Sequence, residues 1–221
     1  VDAIAVVDVL RATTMVATLL HHGASAVIAA AEEALARALA AERGALLAGE
    51  VGGLPPPGFD LGNSPASLDR AFVAGREVVL FTTNGTRALC AVAEHGRTVA
   101  AAAVNLGPCA RWLARFERVL VVCAGEARGT SFALDDFAAA ALLVGAVVEL
   151  DPGRAAGDGA RLALALPEPL DLIPAAEHAS TLRHLGLGAD IEAAMAVDTV
   201  ALVPVVVDHG DGWARLQPTG A

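Results

Sequence analysis

Four short segments join carboxylates, hydroxyls and arginines at points where an apolar run gives way to a helical pattern. The first, Asp8-Val9-Leu10-Arg11-Ala12-Thr13-Thr14, closes the run Ala3 to Val9. At the carboxyl end of a strand, Asp8 can hold a metal ion while Arg11, Thr13, Thr14 and the first amides of the next helix face an anion. The same letters also admit a plain capping turn in which Asp8 pairs with Arg11. The second, Thr82-Thr83-Asn84-Gly85-Thr86-Arg87, has the composition of a phosphate cradle: a tight Asn-Gly turn, flanking hydroxyls and a guanidinium fork. In the third, Gly49 to Pro65, Glu50 and Asp60 offer the oxygen ligands that Mg²⁺ prefers, in a Gly- and Pro-rich loop. The fourth runs from Cys123 through Gly125, Glu126 and Arg128 to the pair Asp135-Asp136, which opens a helix and serves either its dipole or a metal.

Several chemistries are disfavoured. The Gly-Lys-Ser/Thr ending of a P-loop is missing. Cys123 and Arg128 stand one residue closer than a thiolate phosphatase loop requires, so Cys123 reads as the buried end of a strand. The six histidines form no zinc spacing and are expected at surfaces or helix ends. Asp8 also lacks the second aspartate, two positions on, of a haloacid-dehalogenase pair.

The elements that must position these groups alternate. Strands are expected at Ala3 to Val9, Ala26 to Ala29, Ala45 to Ala48, Glu77 to Phe81, Thr98 to Ala102, Val119 to Cys123 and Val200 to Val207. Helices are expected at Thr13 to His22, Ala31 to Arg43, Thr86 to His95, Gly107 to Arg115, Asp135 to Val148, Ala175 to Leu185 and Ala189 to Ala196. This pattern predicts a layered α/β/α fold around a mostly parallel or mixed sheet, as one domain or two closely packed lobes over 1–221. The helix Asp135 to Val148 is apolar nearly all round and is therefore expected to be central.

Apolar residues make up 55% of the chain and charged ones 18%, yet no apolar run is long enough to span a bilayer, and a cytoplasmic protein is expected. A net charge of -10 disfavours nucleic acid and anionic membrane as partners and leaves a small anion met by a few convergent arginines. The high apolar fraction is compatible with a homo-oligomer. Three scattered cysteines read as free thiols. The chain opens at Val1 directly into a strand, so a preceding piece is expected.

In order, Val6 to Thr14, Leu47-Ala48-Gly49-Glu50, Gly58-Phe59-Asp60-Leu61-Gly62-Asn63-Ser64-Pro65, Thr82 to Leu89 and Cys123-Ala124-Gly125 resemble the 2-phosphosulfolactate phosphatase (ComB-like) family along most of the chain. The resemblance implies Mg²⁺-dependent hydrolysis of a small anionic phosphate ester, 2-phosphosulfolactate, to sulfolactate and phosphate in a cleft, a step of coenzyme M biosynthesis. On that reading Mg²⁺ is expected to be held by Asp8 and one or more of Glu50, Asp60 and Asp136, with Asp8, Arg11 and Arg87 as catalytic residues. Thr13, Thr14, Asn63, Ser64, Thr82, Thr83, Asn84, Gly85 and Thr86 are then expected at the substrate. Water, a carboxylate or a hydroxyl attacks phosphorus. Another phosphorylated hydroxyacid as substrate, or a protein that binds such an anion without turning it over, stays open. The family's usual Glu-Asp pair is here Asp135-Asp136.

Overall fold

The computed structural model describes residues 1–219. Eight strands form one mixed sheet: β1 (Ala3–Val7), β2 (Ala26–Ala30), β3 (Leu46–Gly49), β4 (Glu77–Phe81), β5 (Arg97–Ala101), β6 (Val119–Cys123), β7 (Val203–Gly210) and β8 (Trp213–Thr219), in the order β3-β4-β2-β8-β7-β5-β1-β6. The helices are α1 (Ala12–His21), α2 (Glu33–Arg43), α3 (Arg70–Val73), α4 (Gly85–Val92), α5 (Leu106–Leu113), α6 (Leu134–Leu150), α7 (Asp158–Leu164), α8 (Pro169–Leu172), α9 (Glu177–His184) and α10 (Gly188–Ala194). The layered α/β/α architecture with a mixed sheet is as expected.

Strand β1 is apolar on both faces because both are covered. Ala3, Ala5 and Val7 pack with Ala138, Leu143 and Leu113 of α6 and α5, while Val6 joins Met15, Val16 and Leu19 of α1. On the far half of the sheet, Val78 and Leu80 share the α1 face, and Val79 and Phe81 meet Ala36 and Leu39 of α2. Helix α6 touches β1, β6, α5, α7, α8 and α9, so its all-round apolar surface is accounted for.

The register creates a topological problem with a functional answer. Strands β1, β5 and β6 are mutually parallel, as are β2, β3 and β4, but the hairpin β7–β8 lies between the triplets and pairs antiparallel to β5 and to β2. Three reversals leave the triplets antiparallel, so in a flat sheet their carboxyl ends would lie at opposite margins. Yet α1, which leaves β1, touches β2, and α4, which leaves β4, touches β1. The sheet therefore curls round these two helices, as twist accumulating at roughly 20–25° per strand allows, and brings the two sets of carboxyl ends together.

Strand β8 was not expected. Its sequence Trp-Ala-Arg-Leu-Gln-Pro-Thr buries Ala214 and Leu216 but carries polar residues and Pro218, which mask a strand to any reading by apolar runs. Strand β7 starts at Val203 rather than Val200 and continues to Gly210 because β8 pairs with its polar end. The turn-rich stretch after Asp151 also holds the short helices α7 and α8.

Candidate active site

A cleft of about 320 Å³ opens where the carboxyl ends meet, lined among others by Asp8, Arg11, Glu50, Asn63, Thr82, Thr83, Asn84, Glu126 and His178. A larger groove, about 810 Å³, lies between β6, α6 and the segment into α7, but its lining is mainly Val, Leu and Ala without convergent carboxylates. The smaller cleft is where chemistry is arranged.

Asp8 is nearly buried at its floor. Its Oδ1 accepts the Ala12 amide at the start of α1 (3.1 Å), and the Gly85 amide at the start of α4 also reaches its carboxylate. Two helix N-termini thus converge on one acid. A Cβ on Gly85 would lie 2.8 Å from Asp8 Cβ and 2.5 Å from Ala12 Cβ, so only glycine lets α4 come so near. Burial raises the Asp8 carboxyl above the usual range, with the Ala12 amide and His178 opposing.

Hydrogen-bond acceptance sorts the remaining acids. Glu50 Oε1 takes the Thr83 amide (2.8 Å) and hydroxyl (3.0 Å), and its Oε2 takes the Gly53 amide (2.8 Å), tying the ends of β3 and β4 to the long loop. Asp60 takes the Leu47 amide (2.8 Å) and lies outside the cleft lining. Asp136 takes the Val9 and Gly125 amides, one on each oxygen and both at 3.0 Å, stapling the end of β1 to the loop after β6. Asp135 differs. It is 1% exposed, and neither of its oxygens has a hydrogen-bond partner. Its neighbours are Glu126 and His178, and one ligand atom of each of the three lies within 4.8 Å of the others. His178 Nδ1 is 3.8 Å from Asp135 Oδ2. Burial, partly countered by His178 and reinforced by Asp8, lifts the Asp135 carboxyl to about 6, and burial with Asp8 and Asp135 lifts Asp136 well above its ordinary value.

An orphaned, buried carboxylate facing another carboxylate and an imidazole is a donor set suited to a divalent cation. The buried acid with unpartnered oxygens is thus Asp135, whereas Asp8, Glu50, Asp60 and Asp136, expected as ligands, accept backbone amides. His178, expected at a surface or cap, joins the cleft because α9 packs on α6.

The hydroxyls and arginines are also redistributed. Thr13 and Thr14 are fully buried, and their hydroxyls donate to the carbonyls of Asp8 (2.8 Å) and Val9 (2.7 Å), so they brace the turn rather than face an anion. Thr86 donates to the Thr82 carbonyl, and Thr82 accepts the Thr86 amide, an internal cap for α4. Asn84 lines the cleft and accepts the Arg128 amide (2.9 Å), and Asn63 lines it with a buried, unpartnered Oδ1. Ser64 donates to Asp190 (2.6 Å). Arg11 is 3% exposed and lines the cleft, whereas Arg87 pairs with Glu32 on the outer surface and does not. The expected convergence of two arginines is not formed.

Cys90, Cys109 and Cys123 are free, and burial pushes the Cys123 thiol up to about 12, which removes it as a nucleophile at neutral pH. No helix among the described residues is long and apolar enough to cross a membrane.

Fold and cleft together define an α/β/α protein whose cleft gathers Glu126, Asp135 and His178, a group that could hold a metal ion. The chain belongs to the 2-phosphosulpholactate phosphatase family of phosphoric monoester hydrolases, whose model matches residues 1–209. A Thermus thermophilus protein named probable 2-phosphosulfolactate phosphatase is 42% identical over 217 residues, covering 93% of this chain and 88% of its own. Proteins of the same name from Deinococcus radiodurans and Thermotoga petrophila are 39% and 37% identical and cover 95% and 92% of this chain, and 90% and 88% of their own.

Proposed function

We propose that the chain hydrolyses 2-phosphosulfolactate to sulfolactate and inorganic phosphate with Mg²⁺ held by Glu126, Asp135 and His178. The observation that carries this reading is the Asp135 carboxylate, buried with both oxygens unpartnered beside Glu126 and His178. Such a group is costly unless a cation meets it. Two carboxylates suit Mg²⁺, and the imidazole suits Mn²⁺ as well. When bound, the cation supplies positive charge for the phosphate oxygens and draws electron density from phosphorus.

The chain's own groups do the rest. Asp8, Glu50 and Glu126 make the cleft acidic, so an anionic ester is repelled until cationic charge is in place. Arg11 is the arginine that lines the cleft, and its guanidinium neutralises one anionic group of the ester. Asn63 adds an uncharged polar contact from the long loop. Phosphoryl transfer depends mainly on positioning and electrostatics, which this rigid convergence of strand ends supplies.

Purified protein should be offered 2-phosphosulfolactate, phospholactate and other phosphorylated hydroxyacids at fixed Mg²⁺, with phosphate and the organic product both identified. The reading requires the highest kcat/KM for 2-phosphosulfolactate. A higher value for another ester would reassign the substrate, and phosphate release from none of them would leave an anion-binding protein.

A further inference from the structure

Arginine is seldom buried without a carboxylate, and Arg11 meets Asp190, which stands on α10 far along the chain and is 1% exposed. Arg11 Nη1 donates to Asp190 Oδ2 at 2.7 Å, and Nη2 donates to the Gly53 carbonyl at 2.8 Å. The second Asp190 oxygen takes the Ser64 hydroxyl (2.6 Å) and the Ala66 amide (3.2 Å). A guanidinium carries about five N–H donors, so most of those on Arg11 remain free.

The cleft around Arg11 is rich in acids, with Asp8, Glu50, Glu126 and Glu177 in its lining. A mobile arginine there would fold onto whichever carboxylate it reached first, and its donors would be lost to an incoming anion. We propose that Asp190 is a positioning residue for Arg11: it satisfies one side of the guanidinium and so holds the free donors in the cleft, ready for an anionic group of the substrate. Through Ser64 and Ala66 the same carboxylate fixes the end of the long loop, while Arg11 itself fixes Gly53 near its start. Arg11 and the loop are thereby set by one acid. The inference deepens the phosphatase reading and rests on it for the identity of the anion.

The test compares wild type, Asp190→Asn, Arg11→Met and the double variant, with folding checked by circular dichroism and Tm. Asparagine keeps the acceptor for Ser64 and Ala66 but removes the charge that aims Arg11. Asp190→Asn should lower kcat/KM for 2-phosphosulfolactate by about tenfold or more, the scale of one charge-assisted hydrogen bond. In the Arg11→Met background the same change should cost less than about twofold, because nothing remains to be aimed. An equal loss in both backgrounds would show that Asp190 acts only through the loop and would overturn the proposal. Removing both charges of a buried pair is commonly tolerated, so the double variant should fold even where Arg11→Met alone does not. If Arg11→Met fails to fold, affinity for inorganic phosphate decides: weakening by Asp190→Asn of about fivefold or more supports positioning, and unchanged affinity overturns it. The phosphate measurement also applies if the wild type hydrolyses no ester, an outcome that sinks the phosphatase reading alone.

Discussion

Replacing Asp135 by Asn should change the stability of metal-free protein in a pH-dependent way. The Asp135 carboxyl titrates at 3.8 when exposed in the unfolded chain and near 6 in the fold, chiefly because burial disfavours its charge. Between these values the folded form binds more protons than the unfolded one, so stability falls as pH rises. The stability is fully present below the unfolded value and is lost as pH passes the folded one. A gap of roughly two pH units corresponds to about 3 kcal/mol at most, and to a Tm difference of about 6–12 °C for a chain of this size. Asn cannot ionise. In the presence of a chelator, Asp135→Asn should therefore gain Tm relative to wild type as pH goes from about 4.5 to about 7. Scanning calorimetry of both proteins across that range reads the difference, in which titrations remote from Asp135 cancel. Excess Mg²⁺ should raise wild-type Tm at neutral pH and leave the variant nearly unmoved. A difference independent of pH, or equal stabilisation of both proteins by Mg²⁺, would refute the idea that Asp135 is a buried charge awaiting a cation.

Three further substitutions test the geometry. Arg87→Ala should lower kcat/KM by less than about threefold, since an exposed pair with Glu32 contributes at most about 1 kcal/mol and does not touch the cleft; a larger loss in steady-state kinetics would return Arg87 to the site. Gly85→Ala should destabilise by about 1–3 kcal/mol in denaturant unfolding, because its Cβ meets Ala12 Cβ at 2.5 Å, and should lower kcat by displacing Asp8. Wild-type stability and kinetics in that variant would mean that α4 does not press on Asp8. Cys123→Ser should keep kcat within about threefold, and alkylating reagents should not protect or inhibit in a substrate-dependent way, because the thiol stays protonated.

The sequence exposed the two hand-offs that build the cleft floor, β1 into α1 and β4 into α4, since each joins a continuous apolar run to a helical period through Asp8 or Asn84-Gly85. It also exposed the Cys123 strand end. Residue type alone places Arg87 at the substrate, but two residues on from Gly85 it points about 200° round the helix axis from the residue that faces Asp8. That signal was available in the spacing. His178 and Asp190 offered no such signal, because each is one polar residue among others on a short helix after Pro174, and tertiary packing alone brings them to Asp135 and Arg11. The roles of Asp135 and Asp136 were likewise undecidable from adjacent identical letters. Only the amides of Val9 and Gly125, supplied by different elements, show which carboxylate is occupied.

The proposed release of phosphate in this cleft depends on a cation held by Glu126, Asp135 and His178. The direct measurement is phosphate release from 2-phosphosulfolactate by wild type, first stripped with a chelator and then titrated with Mg²⁺, beside Glu126→Gln under the same conditions. Release should be negligible without metal and recover fully on titration, and Glu126→Gln should require about tenfold or more Mg²⁺, as expected when one charged ligand is lost. Release that persists in the stripped enzyme, or an unchanged Mg²⁺ requirement in Glu126→Gln, would contradict that dependence.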